Sequence, residues 1–500
     1  MSKVLLIYPH QLFAAEYLPN DVDKVLLIED PLFFGNDEQY KTYFHKQKLI
    51  LHRASMRRYA QEVLWPAGYQ VEYVECGGLL RSEGALERAE EADTLMVFDV
   101  VDDALRRRIN AGANERRKKV DWLQTPMFYL SLSEVQAKFQ AGEAPEFAEF
   151  YQWQRERFNV LMTKAYKPVG GKLMHEFEGG KRLPDNLSLP TFSVYGDNDY
   201  VREAVSYVND HFDRHYGSTA DFAWPTNHEE ARGWLKSFIE GRLEDYGRYD
   251  EALEPEAPWL FHAALSPMLN VGLLTPNEVI KAAIDRHEQS TLPLASLELF
   301  IREILGWREY QRGLYESMHT TLRTSNVFEN NRDLTNDWYA ATTGLAPIDD
   351  LIRKLYNRAY IHAAERRDLA GVAMLVSEID PRRVYQWFSE MLIDSYDWTT
   401  VPTVYGFSQC VDGGRLAKLI PLVSSPQILA RSHFEAGDWC DIWDGLISRF
   451  IDKHQEQLMQ NPNMRVVVRA NERMSQDKKR IIGYRADDFL ASKTQQSEPN

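Results

Sequence analysis

Cysteine is almost missing from this chain: Cys76, Cys410 and Cys440 are the three in 500 residues. They lie far apart with no CxxC pair, which argues against a disulfide scaffold and against a self-contained zinc or iron–sulfur site. No run of eighteen apolar residues occurs, so no membrane-spanning helix and no membrane partner are expected. No GxGxxG or GxxxxGK[ST] follows the first apolar run, and a standard dinucleotide or P-loop site is not supported. The start, MSKVLLIYPHQLF, lacks a small-residue cleavage site, so no signal peptide is read and a cytoplasmic protein is expected. Positive charge is in deficit, with 58 Lys and Arg against 74 Asp and Glu and a formal net charge of −16. That balance argues against a surface that grips nucleic acid everywhere, but leaves room for one basic face. What is abundant is core material: 44% of residues are hydrophobic and 12% aromatic, enough for two or three domains.

The first third alternates short apolar runs with helical stretches. Lys3–Tyr8, Lys24–Ile28, Gln70–Val74 and Thr94–Phe98 read as buried strands, with a last one from Val120–Leu123 and Met127–Leu130. Lys46–Leu64 carries helical spacing and ends at Trp65-Pro66. This pattern predicts an α/β parallel-sheet (Rossmann-like) domain over residues 1–134. Ligands of such sheets sit beyond the carboxyl ends of the strands, here at His10, Gln11 and Glu29. Residues 135–220, punctuated by KPVGGK at 167–172 and Gly179-Gly180-Lys181, read as a connector. From 221 to 492 the chain is a large all-α domain, with helical spacing over 229–246, 276–287, 294–315, 349–377, 381–394 and 440–460. The tail 493–500 is polar and expected to be disordered.

Four helical-half segments combine aromatics, charges and glycines: 260–272, 305–313, 360–368 and 394–414. Ser266-Pro267 reads as a capped helix start with backbone N–H groups free for a phosphate. Taken singly, Trp307-Arg308-Glu309 is a packed tryptophan beside an ion pair.

In order and spacing these segments resemble the photolyase/cryptochrome superfamily, and specifically its bacterial branch of iron–sulfur (6-4) photolyases. The resemblance runs nearly end to end, through HKQKL at 45–49, LHRASM at 51–56, KPVGGK, ALSPMLNVGLLTP at 264–276, LGWREYQRG at 305–313, DSYDW at 394–398, GFSQCVDGG at 406–414 and NPNM at 461–464. It implies FAD in the helical domain. By resemblance Tyr249, His262, Leu265 and Ser266 line its diphosphate and ribose, with Trp307 and Arg308 on the opposing helix. Asp394 and its partner Arg366 would face the flavin ring, where a planar, always-charged guanidinium stabilises an anionic reduced ring. Trp387, Tyr339 and the adjoining Trp338 fall on positions that relay electrons inward, with Phe388 between. The resemblance also implies damaged DNA as partner, a lesion flipped out of the duplex, and a lumazine-type antenna chromophore in the α/β domain. The protein is expected to be a monomer.

Three departures stand out. The first cluster-ligand position is Pro347 and the cysteine-rich loop is shortened to 432–440, so no iron–sulfur cluster is expected. The histidine pair of the (6-4) enzymes reads His362-Ala363, and the missing member is the proton donor. Thr400 stands where an acidic residue facing the flavin is expected, and a threonine cannot titrate usefully. The functional reading is a photolyase-like lyase that passes an electron from reduced flavin to a pyrimidine lesion. Cyclobutane dimers suit it best, since they need no such donor. A cryptochrome-like photoreceptor, with a protein partner and no repair, is the alternative; a scaffold without flavin is the third. Candidate DNA contacts are Arg106–Arg108 with Arg116–Lys119, Lys478–Arg480, and a rim of Arg465, Arg469 and Arg473.

Overall fold

The computed structural model describes residues 2–140, 142–176, 180–290 and 292–496. Five strands, β1 (Lys3–Ile7), β2 (Lys24–Ile28), β3 (Val71–Val74), β4 (Thr94–Phe98) and β5 (Lys119–Leu123), form one parallel sheet in the order β3-β2-β1-β4-β5. β1, β2 and β4 are near-continuous apolar runs because helices cover both faces, and Leu5, Leu6, Leu26 and Leu95 are fully buried. The helix Lys46–Tyr59 packs on one face and widens into a π-type turn over Ala60–Leu64, where Trp65-Pro66 stops it. Met127–Leu130 does not extend the sheet. The Glu309 carboxylate accepts from the backbone N–H groups of Tyr129 (2.6 Å) and Leu130 (3.3 Å), which removes two donors a strand would need.

Around this domain the chain is helical. Phe147–Phe158 and Asp199–His211 are helices inside the connector, and KPVGGK makes a tight turn over Val169–Gly171. Of the GGK segment, Gly179 lies outside the described residues. The helical spacings map onto His228–Gly241 and Leu243–Tyr249, Pro276–Gln289, Leu294–Ile301 running on to Thr324, Pro381–Met391, and Asp438–Lys453. Thr275 and Glu278 close a capping box around Pro276, which fixes where one of them starts.

The expected single helix over 349–377 is two. Ala346–Arg358 ends at Ala359, held at φ +53° with its carbonyl accepting from Ile393 N at 2.9 Å, and the chain turns helical again after His362. Of the tail expected to be disordered, residues 493–496 are ordered, and 497–500 lie outside the described residues. Helix Gln476–Lys493 runs into a strand, Thr494–Gln496, paired antiparallel with Arg332–Leu334. The Lys493 carbonyl accepts from Trp338 Nε1 at 2.8 Å, so core contacts hold this end.

The two halves are tied together at the helix Lys46–Tyr59. Gln47 Nε2 donates to the carbonyls of Asn357 (2.7 Å), Ser218 and Ala220 (both 3.3 Å). Lys48 reaches the Ser395 carbonyl between the rings of Phe44 and Tyr396.

Candidate functional site

Asp394 is the centre of the site. It follows the helix Pro381–Met391 and is 4% exposed. Its Oδ2 accepts from Arg366 Nη2 at 3.0 Å and from the Ser266 hydroxyl at 2.5 Å, and its backbone carbonyl accepts from Asn270 Nδ2 at 2.9 Å. Ser266 therefore does not cap its own helix, which is only the six residues Ser266–Val271; the hydroxyl is spent on the carboxylate. Asn270 in turn accepts from Arg308 Nη1 at 2.6 Å, and Arg308 also donates to the carbonyls of Leu269 and Met127, both at 3.3 Å. Arg308 is thus a strut behind the site. Burial brings it down to about 9, and the faces of Phe128 and Trp398 flank it.

Two atoms of this cluster are left open. Asp394 Oδ1 is buried with no hydrogen-bond partner. Arg366 lies deep between helices, yet its side chain is 26% exposed, and its Nη1 makes no hydrogen bond. A buried carboxylate edge and a guanidinium edge facing one internal space are what a polar, ring-bearing ligand requires, and the donor set fits FAD. Arg366 sits on a π-type turn, Glu365–Gly371, one of three in the helical domain with Arg302–Trp307 and Pro402–Ser408. Such turns gather at functional sites, and no spacing pattern in the sequence announces them.

The other expected site residues divide. Tyr249 ends the helix Leu243–Tyr249 and packs on Phe261 (centroids 4.9 Å), and Leu265 is buried beside Ser266. His262 and His362, from separate segments, stack at 4.1 Å and 15°; His262 Nε2 and both ring nitrogens of His362 lack hydrogen bonds. Burial holds both well below the usual histidine range, so this pair is neutral. Ala363 is exposed, and Thr400 is buried on the short helix Asp397–Val401. Trp307 faces a different cluster, stacked on Phe147 at 4.1 Å and edge-on to Phe407 at 5.4 Å. Trp387 and Trp338 are fully buried and adjoin through Trp387 Nε1 and the Trp338 carbonyl (3.0 Å). Tyr339 is half-buried, 3.4 Å from Glu390 Oε2.

Sequence reading missed Asn270, Lys48, Glu303 and Asp250. Burial, then the charge of Asp250, lifts Glu303 to about 8; burial and neighbouring Glu251 lift Asp250 to about 6. Lys48 is pulled to about 7 by burial against the nearby Asp394 charge. Only the EI preceding LGWRE could have drawn attention to Glu303.

The expected basic clusters behave differently from one another. Arg106 bonds Asp99 and Glu316, Arg108 is buried on Asp37, and Arg107 pairs with Asp103, so that run is internal wiring. Lys479 pairs with Asp452. Arg465, Arg469 and Arg473 stay exposed on or just after the helix Arg465–Glu472.

The strand ends are largely engaged by protein, although the Tyr8 hydroxyl, His10 Nδ1 and Asp30 Oδ2 are buried without partners. Order reverses between β1 and β4, where a crevice would open, but Gln11 Nε2 donates to the Phe98 carbonyl and a His10 ring nitrogen meets the Val100 carbonyl, both at 2.9 Å. Glu29 is buried among Arg53 Nη1 (2.9 Å), the Tyr73 hydroxyl (2.6 Å) and Cys76 N (3.1 Å).

Comparison with known proteins agrees with this architecture. A family model described as deoxyribodipyrimidine photo-lyase-related protein matches residues 5–224, and one described as the FAD binding domain of DNA photolyase matches residues 298–412. A (6-4) photolyase of Agrobacterium fabrum is 27% identical over 513 residues, covering 98% of this chain and 99% of that one. The fold is shared with a bacterial class III photolyase from Agrobacterium tumefaciens (TM-score 0.55, 15% identity, 98% and 96% of the two chains). It is likewise shared with a Synechocystis cryptochrome (TM-score 0.56, 14% identity, 98% of each chain). The chain belongs to the photolyase/cryptochrome superfamily. Its place there is the bacterial (6-4)-like branch, and it carries the photolyase FAD-binding domain.

Proposed function

We propose that the protein holds FAD between Ser266, Arg366 and Asp394 and uses light to send an electron to a pyrimidine lesion in DNA, cyclobutane dimers being the favoured substrate. The observation that carries this reading is the Arg366–Asp394 pair, deep in the helical domain with one carboxylate oxygen of Asp394 buried and unspent. When bound, the flavin supplies the light absorption and the one-electron chemistry. Arg366 holds a fixed positive charge at the ring, Asp394 fixes the guanidinium plane, and Arg308 fixes Asn270 beneath them.

Lesion choice follows from the histidines. Ala363 offers no proton, and His362 is neutral and stacked on His262. A lesion whose repair needs no external acid suits this site. Trp387, Trp338 and Tyr339 supply the relay, and Arg465, Arg469 and Arg473 the phosphate contacts. Thr400 gives the flavin face a neutral hydroxyl. We further read the protein as free of an iron–sulfur cluster, because Pro347, Cys410 and Cys440 cannot supply four thiolates. At the strand ends the polar side-chain groups of Glu29 are committed to protein, while His10 Nδ1 and Asp30 Oδ2 stay unpartnered and would be the groups to meet an antenna chromophore.

The test is repair of a cyclobutane dimer in an oligonucleotide by reduced, illuminated protein. Restored thymines are expected. Intact dimers from a protein whose flavin photoreduces normally would overturn the repair reading and leave a photoreceptor.

A further inference from the structure

A second cavity, of about 690 Å³, lies away from the flavin site, between the connector and the helix Ala346–Arg358. Its size is that of a small-molecule site. One wall is apolar: Phe192 and Trp259, with ring centroids 4.7 Å apart, together with Leu189, Pro190 and Leu260. The facing helix contributes Arg353, Asn357 and Arg358. Neither arginine meets a carboxylate: Arg353 is exposed, and Arg358 spends Nη1 on the Asp221 carbonyl while its guanidinium stands 5.5 Å from the Trp259 ring. Lys354, by contrast, is fully engaged by Asp350 (2.9 Å), Glu365 (2.7 Å) and the Glu254 carbonyl (2.6 Å).

Three independent observations mark this cleft as built for a ligand. Trp259 is 8% exposed, and its indole N–H has no acceptor. Behind the apolar wall, and not itself lining the cleft, Arg242, 2% exposed, stacks its guanidinium 4.0 Å from the Phe192 ring, and its Nε and Nη2 are buried without partners or a counter-charge. An uncompensated buried cation is costly, and a nearby anion relieves it. Asp221, Glu256 and Leu260, all lining residues, are held at φ +55°, +62° and +42°, a strained region for side-chain-bearing residues and one that gathers at binding sites. The exposed carboxylates of Asp221 and Glu256 add acceptors for ring N–H groups.

We propose that this cleft binds a phosphorylated heteroaromatic compound of the mononucleotide class, its ring against Phe192 and Trp259 and its phosphate on Arg353 and Arg358. The site is separate from the flavin site and stands whether or not the lesion reading holds.

The experiment uses the FAD-saturated full chain. FMN is titrated by quenching of its fluorescence and AMP by calorimetry. Saturable one-to-one binding of at least one probe is expected, weakened about tenfold or more, or about 1.4 kcal/mol, by Arg353→Glu and by Arg353→Glu with Arg358→Glu. Trp259→Phe, which keeps a ring and deletes the N–H, should weaken it less, and bound FAD should be unchanged throughout. FMN bound without AMP assigns the cleft to a light-absorbing ring; AMP bound as well assigns it to nucleotides at large. No saturable binding of either probe at millimolar concentration overturns the proposal, as does binding that Arg353→Glu leaves unchanged. Arg353 is exposed and makes no side-chain bond, so that variant folds as the parent does.

Discussion

The molecule has two places where a ligand is expected from architecture, and they differ in which polar groups they leave unspent. At the carboxyl edge of the sheet, Gln11 bonds the Phe98 carbonyl of β4, one His10 nitrogen meets the Val100 carbonyl just beyond it, and Glu29 is held by Arg53, Tyr73 and Cys76, while the Tyr8 hydroxyl, His10 Nδ1 and Asp30 Oδ2 are buried without partners. In the helical domain, Asp394 and Arg366 pair with each other, and Asp394 keeps its second oxygen buried without a partner. Unpaired buried polar atoms are expensive and rare, so a place that keeps them is one where something else completes them. Both places keep such atoms; what sets the helical one apart is that the unspent oxygen belongs to the ion-paired carboxylate itself, whereas Glu29, the ion-paired carboxylate of the sheet edge, has both oxygens engaged.

That contrast is sharpest if one charge is removed from each place. Arg53→Ala leaves Glu29 buried and unpaired, which costs about 3–5 kcal/mol of stability. Bound FAD per chain should not change, since the partners of Arg53 are the sheet edge and Glu203 and Tyr207 of the helix Asp199–His211, none of them in the Arg366–Asp394 cluster. Thermal or urea melting read beside the flavin absorbance checks both halves, and flavin lost in proportion would break the comparison. Asp394→Asn should do the reverse. It costs less stability, about 2 kcal/mol, because Arg366 still meets some solvent. Flavin retention should fall about tenfold or more, equal to about 1.4 kcal/mol. An Asp394→Asn protein with full flavin content would remove the carboxylate from the site.

Lys48 joins the two places and makes a pH-dependent prediction. Burial lowers its ammonium to about 7 in the folded protein, against about 10.4 in an unfolded chain. Between those values the unfolded state binds more protons, so this group makes stability rise with pH, by at most about 1.4 kcal/mol per unit. The charged and titratable groups around it are Asp394, which favours the ammonium, and His52, which burial keeps neutral. Lys48→Met should flatten the rise in urea midpoint from about pH 7 to about pH 9. An equal slope in both proteins would mean that Lys48 stays charged on the Ser395 carbonyl throughout.

How much of this could be read beforehand depended on the range of the interaction concerned. β2 and β4 stand where their apolar runs put them, because a strand covered on both faces has a local signature. Met127–Leu130 looked like a strand for the same reason, but a carboxylate from residue 309 claimed its backbone donors. The break at Ala359 depends on Ile393, and the strand Thr494–Gln496 on Arg332–Leu334, both partners that no local window contains. In the site, the Arg366–Asp394 pair was legible through resemblance and stands as a contact. Ser266 and Arg308 were legible as positions but not as roles: a hydroxyl expected to cap a helix serves Asp394, and a guanidinium expected beside the cofactor serves Asn270. Asn270 lies within the ALSPMLNVGLLTP resemblance but its role does not show there, since a polar residue in a six-residue helix is unremarkable until its neighbours are known.

The smallest effect separates the connector from both places. His433 bonds Glu254 Oε2 at 2.5 Å and Asp185 Oδ1 at 3.0 Å, stapling the connector to the helical domain, and these bonds raise its imidazole above the ordinary value. A raised folded pKa contributes stability that is complete below the unfolded value of about 6.5 and is lost as pH climbs through the folded one. The sign is opposite to that of Lys48, so the pH dependence of the parent protein mixes the two and neither can be read from it alone. Subtraction separates them. The difference in melting temperature between parent and His433→Gln should be positive near pH 6 and shrink towards pH 8, while the parent minus Lys48→Met difference grows over the same interval. The staple is partly exposed and salt weakens it, so the His433 difference should also fall in high salt, where the buried Lys48 difference should persist. A His433 difference that ignores salt would place its contribution in packing and not in charge.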